Sequence, residues 1–262
     1  MWHVDNLNDT DILLAFLQRD RAYAAYAIGD LEPTLAGACT WFGAWQGTAL
    51  RTLALIYAGL QPPVLFTMGA TAGLRAIVAA AALPAAVMIA SQPQHAPTLQ
   101  ARYAFDRLSS MWRMTVRPAD FRPVVTAATQ RLTPDATPAL QALYALGGEH
   151  APDSFRPAQV AEGVFYGIFM EDGLAAAGGT HLVARQRGVA AVGNIYTHPA
   201  YRGRGLATSI TSAISTELLT DGLAVVLNVN KDNAPALAVY QKLGYRCVRR
   251  FVEGVGRSIE NK

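Results

Sequence analysis

The chain of 262 residues is long enough for one large domain or for two domains of about 130 residues, each with its own core. Hydrophobic residues make up 52% of the chain and charged residues 16%, a composition that excludes an intrinsically disordered protein. The net charge of +3 is too small and too dispersed to indicate a nucleic-acid partner.

The cysteine usage and the apolar runs indicate where the protein works. Cys39 and Cys247 are far apart and form no CxxC pair, so they predict free thiols in a reducing compartment. Met1–Thr10 lacks the basic start and apolar run of a signal peptide, and the apolar run Ala76–Ala90 is shorter than a membrane span and contains Pro84. We therefore expect a soluble, cytoplasmic protein without a membrane partner or a bound metal.

The hydrophobic periodicity of the first half predicts alternating helices and strands. A helical segment over Asp9–Ile28, capped by Asp9 or Thr10, comes first. The predicted strands are Cys39–Trp45, Leu53–Ala58, Val64–Met68, Ala85–Ala90 and Ser110–Val116, and the predicted helices are Thr71–Ala82 and Pro97–Phe105. Arg117–Val124 contains two prolines and mixed charge, and we interpret it as a linker.

The second half repeats this order of elements. Its predicted strands are Val164–Met170, Ala175–Leu182, Ala190–Thr197, Leu223–Asn228 and Cys247–Val252, and its predicted helices are Thr137–Gly147, Gly205–Leu219 and Ala234–Leu243. The run His95-Ala96-Pro97 also resembles Asn233-Ala234-Pro235 at the matching position, which favours an internal repeat. We expect two domains, 1–120 and 121–262, although an unrelated α/β first half stays open.

The most informative stretch is Ile195–Ala207, where an apolar strand ends at Pro199 and a helix begins after a short basic loop. Gly203 and Gly205 allow close approach of the backbone to a ligand. The first N–H groups of the helix, its dipole and the neighbouring arginines together favour a phosphate site. A tight turn with solvated arginines is the alternative.

Two motifs extend this interpretation. Arg202-Gly203-Arg204-Gly205-Leu206-Ala207 resembles the Arg/Gln-x-x-Gly-x-Gly/Ala pyrophosphate loop of the GNAT superfamily of acyl-CoA-dependent N-acyltransferases. The run from Asn233 to Ala236, followed by Tyr240-Gln241-Lys242-Leu243-Gly244-Tyr245, is similar to the superfamily's Asn-x-x-Ala and Tyr-x-x-Leu-Gly-Tyr/Phe segments. The resemblance covers residues 125–256. The first half has no cation at the position of the loop, so it resembles a degenerate copy.

The resemblance implies a fold and a binding mode. The fold would be α/β (α+β), with two tandem GNAT-like domains that each have a mixed, mostly antiparallel central sheet flanked by helices. Acetyl-CoA would bind as the co-substrate: the strand backbone would hold its pantetheine, and the loop amides and arginines would hold its pyrophosphate. The residues implied in binding are Ile195, Tyr196, Thr197, Arg202, Gly203, Arg204, Gly205, Leu206, Ala207 and Asn233.

The resemblance also implies that Tyr240 is the general acid for the departing thiolate, although a packed core tyrosine is the alternative. Asn233 could equally be only a helix cap. The base is less clear, because Asn194 on the strand before the loop cannot accept a proton from an ammonium group. His181, with an ordinary pKa of about 6.5, is the candidate base. Glu149, His150 and Glu162 are alternatives, and Phe155, Phe165 and Tyr166 could line an acceptor wall.

We therefore expect an N-acetyltransferase that transfers the acetyl group of acetyl-CoA to a primary amine by direct attack in a ternary complex. A non-catalytic acyl-CoA-binding or sensing protein is the alternative. The residues do not identify the acceptor, which could be a small molecule or a protein N-terminus. The first half could cap the cleft or mediate the formation of a homodimer.

Overall fold

The computed structural model describes residues 1–148, 151–152 and 155–259, and within them the chain divides into two compact units. Unit 1 contains Met1–Trp112 and the C-terminal segment from Arg249 onward, and unit 2 contains Arg113–Val248. The C-terminal segment therefore belongs to the unit formed by the first half. The sequence-based prediction instead includes it in a domain of residues 121–262.

The secondary structure follows the predicted order. The strands are β1 (Trp2–Asn6), β2 (Cys39–Gln46), β3 (Ala49–Tyr57), β4 (Val64–Gly69), β5 (Ala86–Ser91), β6 (Tyr103–Phe105), β7 (Ser109–Val116), β8 (Gln130–Arg131), β9 (Tyr166–Met170), β10 (Gly173–Ala184), β11 (Val189–Thr197), β12 (Ala224–Asn230) and β13 (Arg246–Ser258). The helices are α1 (Thr10–Leu17), α2 (Ala25–Gly29), α3 (Pro33–Ala36), α4 (Thr71–Ala80), α5 (Ala96–Gln100), α6 (Thr137–Tyr144), α7 (Ala158–Glu162), α8 (Leu206–Thr220) and α9 (Ala234–Lys242).

The sheet of unit 1 has the order β1-β2-β3-β4-β5-β13, and β6 also pairs with β13. The strands β4 and β5 are parallel, and the other neighbouring strands in this sheet are antiparallel. The sheet packs on α4 and α5 through a core that includes Phe42, Leu65, Leu74 and Leu99. Asp9 caps α1, as expected, by accepting hydrogen bonds from the backbone N–H groups of Asp11 and Ile12.

Several segments of unit 1 differ from the sequence-based expectation. The helix predicted over Asp9–Ile28 is interrupted, because α1 ends at Leu17 and α2 begins at Ala25. The polar segment before α1 forms β1, an edge strand whose Asp5 carboxylate accepts a hydrogen bond from Trp45 Nε1 at 2.9 Å. The helix predicted over Pro97–Phe105 ends at Gln100, because β6 begins at the buried Tyr103. The Tyr103 hydroxyl donates to the Pro84 carbonyl at 2.9 Å, and β6 pairs with β13, so long-range contacts override the local helical pattern.

The sheet of unit 2 has the order β7-β12-β11-β10-β9-β8. The strands β11 and β12 are parallel, whereas β10 is antiparallel to both of its neighbours. The helices α6 and α7 pack against β10, and α8 packs against β10 and β11. The predicted α/β class, with mixed and mostly antiparallel sheets flanked by helices, is confirmed. None of the helices in the described part of the chain is long and apolar enough to cross a membrane.

The segment predicted as a linker is an ordered part of unit 2. The Arg122 N–H donates to the Leu243 carbonyl at 3.1 Å, and Arg246 Nη2 donates to Asp120 Oδ1 at 3.1 Å. Gly244 has φ +93°, and the Asp120 carbonyl lies where its side chain would be, so the end of α9 is fitted closely to this segment.

Candidate functional site

The two parallel strands of unit 2 separate at their C-terminal ends. Their register runs from Val189↔Ala224 to Val192↔Leu227 and stops there. Beyond this point β11 continues to pair with β10 on its other side, where Tyr196 is opposite Ala177. The edge of β11 that faces β12 therefore has no strand partner between residues 195 and 197, and an extended ligand can bind to such an edge.

A β-bulge in β11 marks the separation point. Asn194 has φ +55°, a left-handed conformation that asparagine tolerates better than most residues. The Tyr144 hydroxyl of α6 donates to the Asn194 carbonyl at 2.8 Å. Burial raises the pKa of Tyr144 above its usual range, so the hydroxyl remains a proton donor. The bulge is therefore held from the α6 side of the sheet.

The loop after β11 presents backbone donors to solvent. Gly203 and Gly205 have φ +77° and +76°, and Gly205 directly precedes α8, a helix of 15 residues. In the described part of the chain, the N–H groups from Gly203 to Ala207 donate to no other protein group. Free N–H donors and the positive end of a helix dipole are features that commonly bind anions in proteins. A side chain at Gly203 would meet nothing within 4 Å, so the loop is open on that side.

The two arginines of the loop occupy different places. Arg202 Nε donates to the Thr197 carbonyl at 3.2 Å, and its guanidinium carbon lies 5.6 Å from the centre of the Tyr196 ring. The guanidinium of Arg204 lies over the ring of Tyr201 at 5.1 Å. Arg202 is thus held at the end of β11, and Arg204 lies farther along the loop.

The loop is also anchored from a segment that the sequence analysis did not single out. Thr126 Oγ1 donates to the Gly205 carbonyl at 3.0 Å, and the Thr126 N–H donates to Ser209 Oγ at 2.7 Å. The Val124 N–H donates to Ser212 Oγ at 2.9 Å. Short polar side chains on α8 thereby hold the preceding segment against the start of the helix, and they orient Gly205 without using the free N–H groups.

Tyr240 and Asn233 occupy the two ends of α9. Tyr240 is 8% exposed, and its hydroxyl has no hydrogen-bond partner among the described residues. Burial raises the pKa of Tyr240 to about 12. The neighbouring Tyr245 hydroxyl is, in contrast, hydrogen-bonded to Ser215 Oγ at 2.7 Å. Asn233 Oδ1 accepts from the Ala236 N–H at 3.1 Å, which is the capping role that the sequence left open.

His181 lies at a second β-bulge, in β10, between Thr180 and Leu182. Its imidazole fills the space that a side chain at Gly193 would occupy, so the ring lies directly beside the separation point of β11. The His181 carbonyl accepts from Gln159 Nε2 at 3.3 Å. Among the alternative bases, Glu162 is exposed on α7, and Glu149 and His150 lie outside the described residues.

An aromatic cluster covers the α6 side of the site. The ring of Phe155 lies 5.0 Å from that of Tyr144 and 6.0 Å from that of Phe165, centre to centre. Tyr166 does not join them, because its hydroxyl donates to Glu217 on α8 at 2.9 Å. Within the described residues, no group of three or more His, Cys, Asp or Glu side chains is arranged to hold a metal ion.

The corresponding place in unit 1 is closed by its own side chains. The parallel register of β4 and β5 ends at Thr67↔Ser91. Just beyond it, the Gly69 N–H donates to Gln92 Oε1 and the Gly69 carbonyl accepts from His95 Nε2, both at 2.9 Å. Nδ1 of the buried His95 then accepts from Thr67 Oγ1 at 2.8 Å. Backbone groups that could bind a ligand there are already paired.

Comparisons with known proteins identify similar folds. Residues 165–252 match the family described as FR47-like protein. A protein from Drosophila has a similar structure, with a TM-score of 0.75 and 13% identity over 97% of this chain and 98% of its own. A GCN5-related N-acetyltransferase from Sphaerobacter thermophilus has a TM-score of 0.60 and 14% identity over 98% of this chain and 95% of its own. The tandem GNAT protein of the clavulanic acid biosynthesis pathway has a TM-score of 0.54 and 16% identity over 100% of both chains.

The comparisons identify the fold class of the chain. The chain has the fold of the GNAT acetyltransferases, and the resemblance of its C-terminal half to that superfamily is confirmed by the family match over residues 165–252. The similarity to a tandem GNAT protein extends over the whole chain and so includes unit 1.

Proposed function

We propose that the protein is an N-acetyltransferase that transfers the acetyl group of acetyl-CoA to a primary amine by direct attack in a ternary complex. The observation that carries this proposal is the row of free N–H groups from Gly203 to Ala207 at the start of α8. Five neighbouring donors without a protein partner are available to a ligand, and their position at a helix N-terminus suits a diphosphate.

The strand that leads into this loop supports the same substrate. From Ile195 to Thr197, the edge of β11 that faces β12 is open, so its backbone can bind the amide groups of an extended pantetheine arm. The open edge and the donor loop are consecutive along the chain, so one ligand can bind to both. Arg202 and Arg204 would add positive charge beside the phosphates.

The proposed chemistry assigns one task to each of two side chains. The free hydroxyl of Tyr240 would donate to the sulfur as the thiolate leaves. His181 would take the proton from the attacking amine, because its ring lies at the separation point of the strands. Transfer would be direct, since no cysteine or serine among the described residues of the proposed site is paired with a base.

The remaining expectations are part of this proposal. Cys39 and Cys247 are both free thiols, which supports a reducing compartment such as the cytoplasm. The acceptor would be a small amine or a protein N-terminus, and we propose no role for nucleic acid or membrane. The closed site of unit 1 supports a structural role for that unit, as a cap or as a dimerisation surface.

Release of the CoA thiol tests the proposal. Acetyl-CoA is incubated with a panel of primary amines, and the free thiol is measured for the wild type and for Tyr240→Phe and Gly205→Glu. We expect amine-dependent release that slows in Tyr240→Phe. The release should stop in Gly205→Glu, because a carboxylate at this position repels the pyrophosphate. Amine-independent release, or full activity of Gly205→Glu, would contradict the assignment.

The rival function is binding or sensing of acyl-CoA without catalysis. It is favoured by one observation, namely that the strand before the loop contributes Asn194 rather than a carboxylate. Isothermal titration distinguishes the two functions. Tight binding of acetyl-CoA together with no thiol release for any amine would support the rival.

A further inference from the structure

The side chain of Asn194 is buried at the separation point of β11 and β12, and one of its atoms has no partner. The residue is 5% exposed. Its Nδ2 donates to Gln159 Oε1 at 3.3 Å, whereas its Oδ1 is buried and has no hydrogen-bond partner in the described part of the chain. A buried acceptor without a partner destabilises the fold, so this oxygen requires an explanation.

The neighbouring network fixes which atom of the amide is unpaired. Gln159 Oε1 accepts from the Arg156 backbone N–H at 2.9 Å, and a backbone N–H can only donate. Gln159 Nε2 donates to the His181 carbonyl at 3.3 Å, which fixes the same orientation from the other end. Gln159 therefore presents an acceptor to Asn194, so Asn194 must present its NH₂ to Gln159. Its Oδ1 then points away from this partner.

A second unpaired amide oxygen lies on the opposite strand. Asn228 directly follows Leu227, the last paired residue of β12, so it lies where β12 separates from β11. Its Oδ1 is also buried, and no hydrogen bond to its side chain is found among the described residues. Two buried acceptor oxygens without a partner thus belong to residues at the point where the two strands separate.

We propose that these two oxygens bind the nitrogen of the acceptor: Asn194 Oδ1 and Asn228 Oδ1 each accept one N–H of a primary amine. This inference rests on the proposed acetyltransferase function and deepens it. Two N–H groups are then held by the protein while the lone pair attacks the thioester carbon, and one of these two protons passes to His181 as the C–S bond breaks. A secondary amine has only one N–H and leaves one buried acceptor unpaired, so the pair of asparagines selects primary amines. Asn194 is a binding residue in this scheme, and Gln159 is its positioning residue.

Two CoA thioethers test this without knowledge of the natural acceptor. Carboxamidomethyl-CoA presents an NH₂ group beyond the sulfur, and acetonyl-CoA has a methyl group at the same position. We expect the wild type to bind the amide about five- to tenfold more tightly than the ketone, because only the amide can donate to Asn194 and Asn228. Isothermal titration measures both dissociation constants, and acetyl-CoA is the reference ligand.

Two variants identify the group responsible. Asn194→Gly removes the side chain, and glycine tolerates the positive φ at this position. This variant should bind both thioethers equally. Its affinity for acetyl-CoA should stay within about twofold of the wild type. Gln159→Met keeps Asn194 but frees its amide to rotate, so the preference for carboxamidomethyl-CoA over acetonyl-CoA should fall. This variant also tests the proposal if Asn194→Gly does not fold. Equal affinities in the wild type, or a preference that survives in both variants, would overturn the inference alone. Failure of the wild type to bind acetyl-CoA and both thioethers would show instead that the proposed function is wrong.

Discussion

Replacing Tyr240 by phenylalanine removes the one hydroxyl that we assign to the leaving group. A pKa of about 12 makes Tyr240 a weaker acid than an alkyl thiol, whose pKa is about 8.5. Complete proton transfer to the thiolate would therefore be uphill by about 5 kcal/mol. We expect the hydroxyl to act as a hydrogen-bond donor to the developing charge, which is worth about 1.5–3 kcal/mol. The predicted decrease in kcat is about 10- to 150-fold.

The assay is steady-state release of the CoA thiol with a primary amine, measured between pH 6 and 10. Because burial raises the pKa of Tyr240 above its ordinary value, the hydroxyl stays protonated throughout this range. The wild type should accordingly show no alkaline decrease that is due to Tyr240. Acetyl-CoA affinity should change less than twofold in Tyr240→Phe, since the effect is confined to the leaving sulfur.

Tyr245→Phe is the matched control. Its hydroxyl is bonded to Ser215 Oγ, so the substitution should lower the free energy of unfolding by about 1 kcal/mol and leave kcat nearly unchanged. Tyr240→Phe should show the opposite pattern, because its hydroxyl has no protein partner among the described residues. A kcat for Tyr240→Phe within about threefold of the wild type would refute the assignment of this hydroxyl to the leaving group.

Three further substitutions test the surroundings of the site and unit 1. Gly193→Ala places a methyl group where the His181 ring lies, so kcat should fall while the dissociation constant of acetyl-CoA, measured by titration, stays within about twofold. Tyr144→Phe leaves the buried Asn194 carbonyl without its donor and should lower the free energy of urea unfolding by about 1–3 kcal/mol; an unchanged value would contradict the role of this bond. Burial lowers the pKa of His95 below its value in the unfolded chain. The contribution of His95 to the free energy of unfolding is therefore fully present above about pH 6.5 and is lost as the pH falls toward the folded pKa. Urea titrations of His95→Gln should no longer show this pH dependence.

The order of elements and the loop between β11 and α8 could be predicted from the sequence, because both depend on local sequence. A strand that ends at Pro199, two glycines and an amphipathic helix are consecutive in the chain, and the structure shows them as expected. The polar start of the chain was not predicted as a strand, because β1 is an edge strand whose alternation is weak and whose partner β2 lies more than thirty residues away.

The details of the candidate site could not be predicted, because they depend on the pairing of strands. The chemistry of its side chain excludes Asn194 as a base, and no other role is predicted for it from the sequence. Its bulge appears only in the register of β11 against β10. Its partners Tyr144 and Gln159 come from separate helices, and nothing in their local sequence links them to residue 194. The signal that was available is the Gly193-Asn194 pair inside an apolar strand, a combination that favours an irregular backbone.

The placement of β13 has a consequence for biosynthesis. From Arg249 onward this strand is part of unit 1, where it pairs with β5 and β6, yet the ribosome makes it only after all of unit 2. At ordinary rates of translation, the edge of β5 therefore stays unpaired for seconds or longer before β13 has been synthesised. A fragment that ends at residue 120 would lack that strand. The two halves must therefore be made as one chain and are not interchangeable modules.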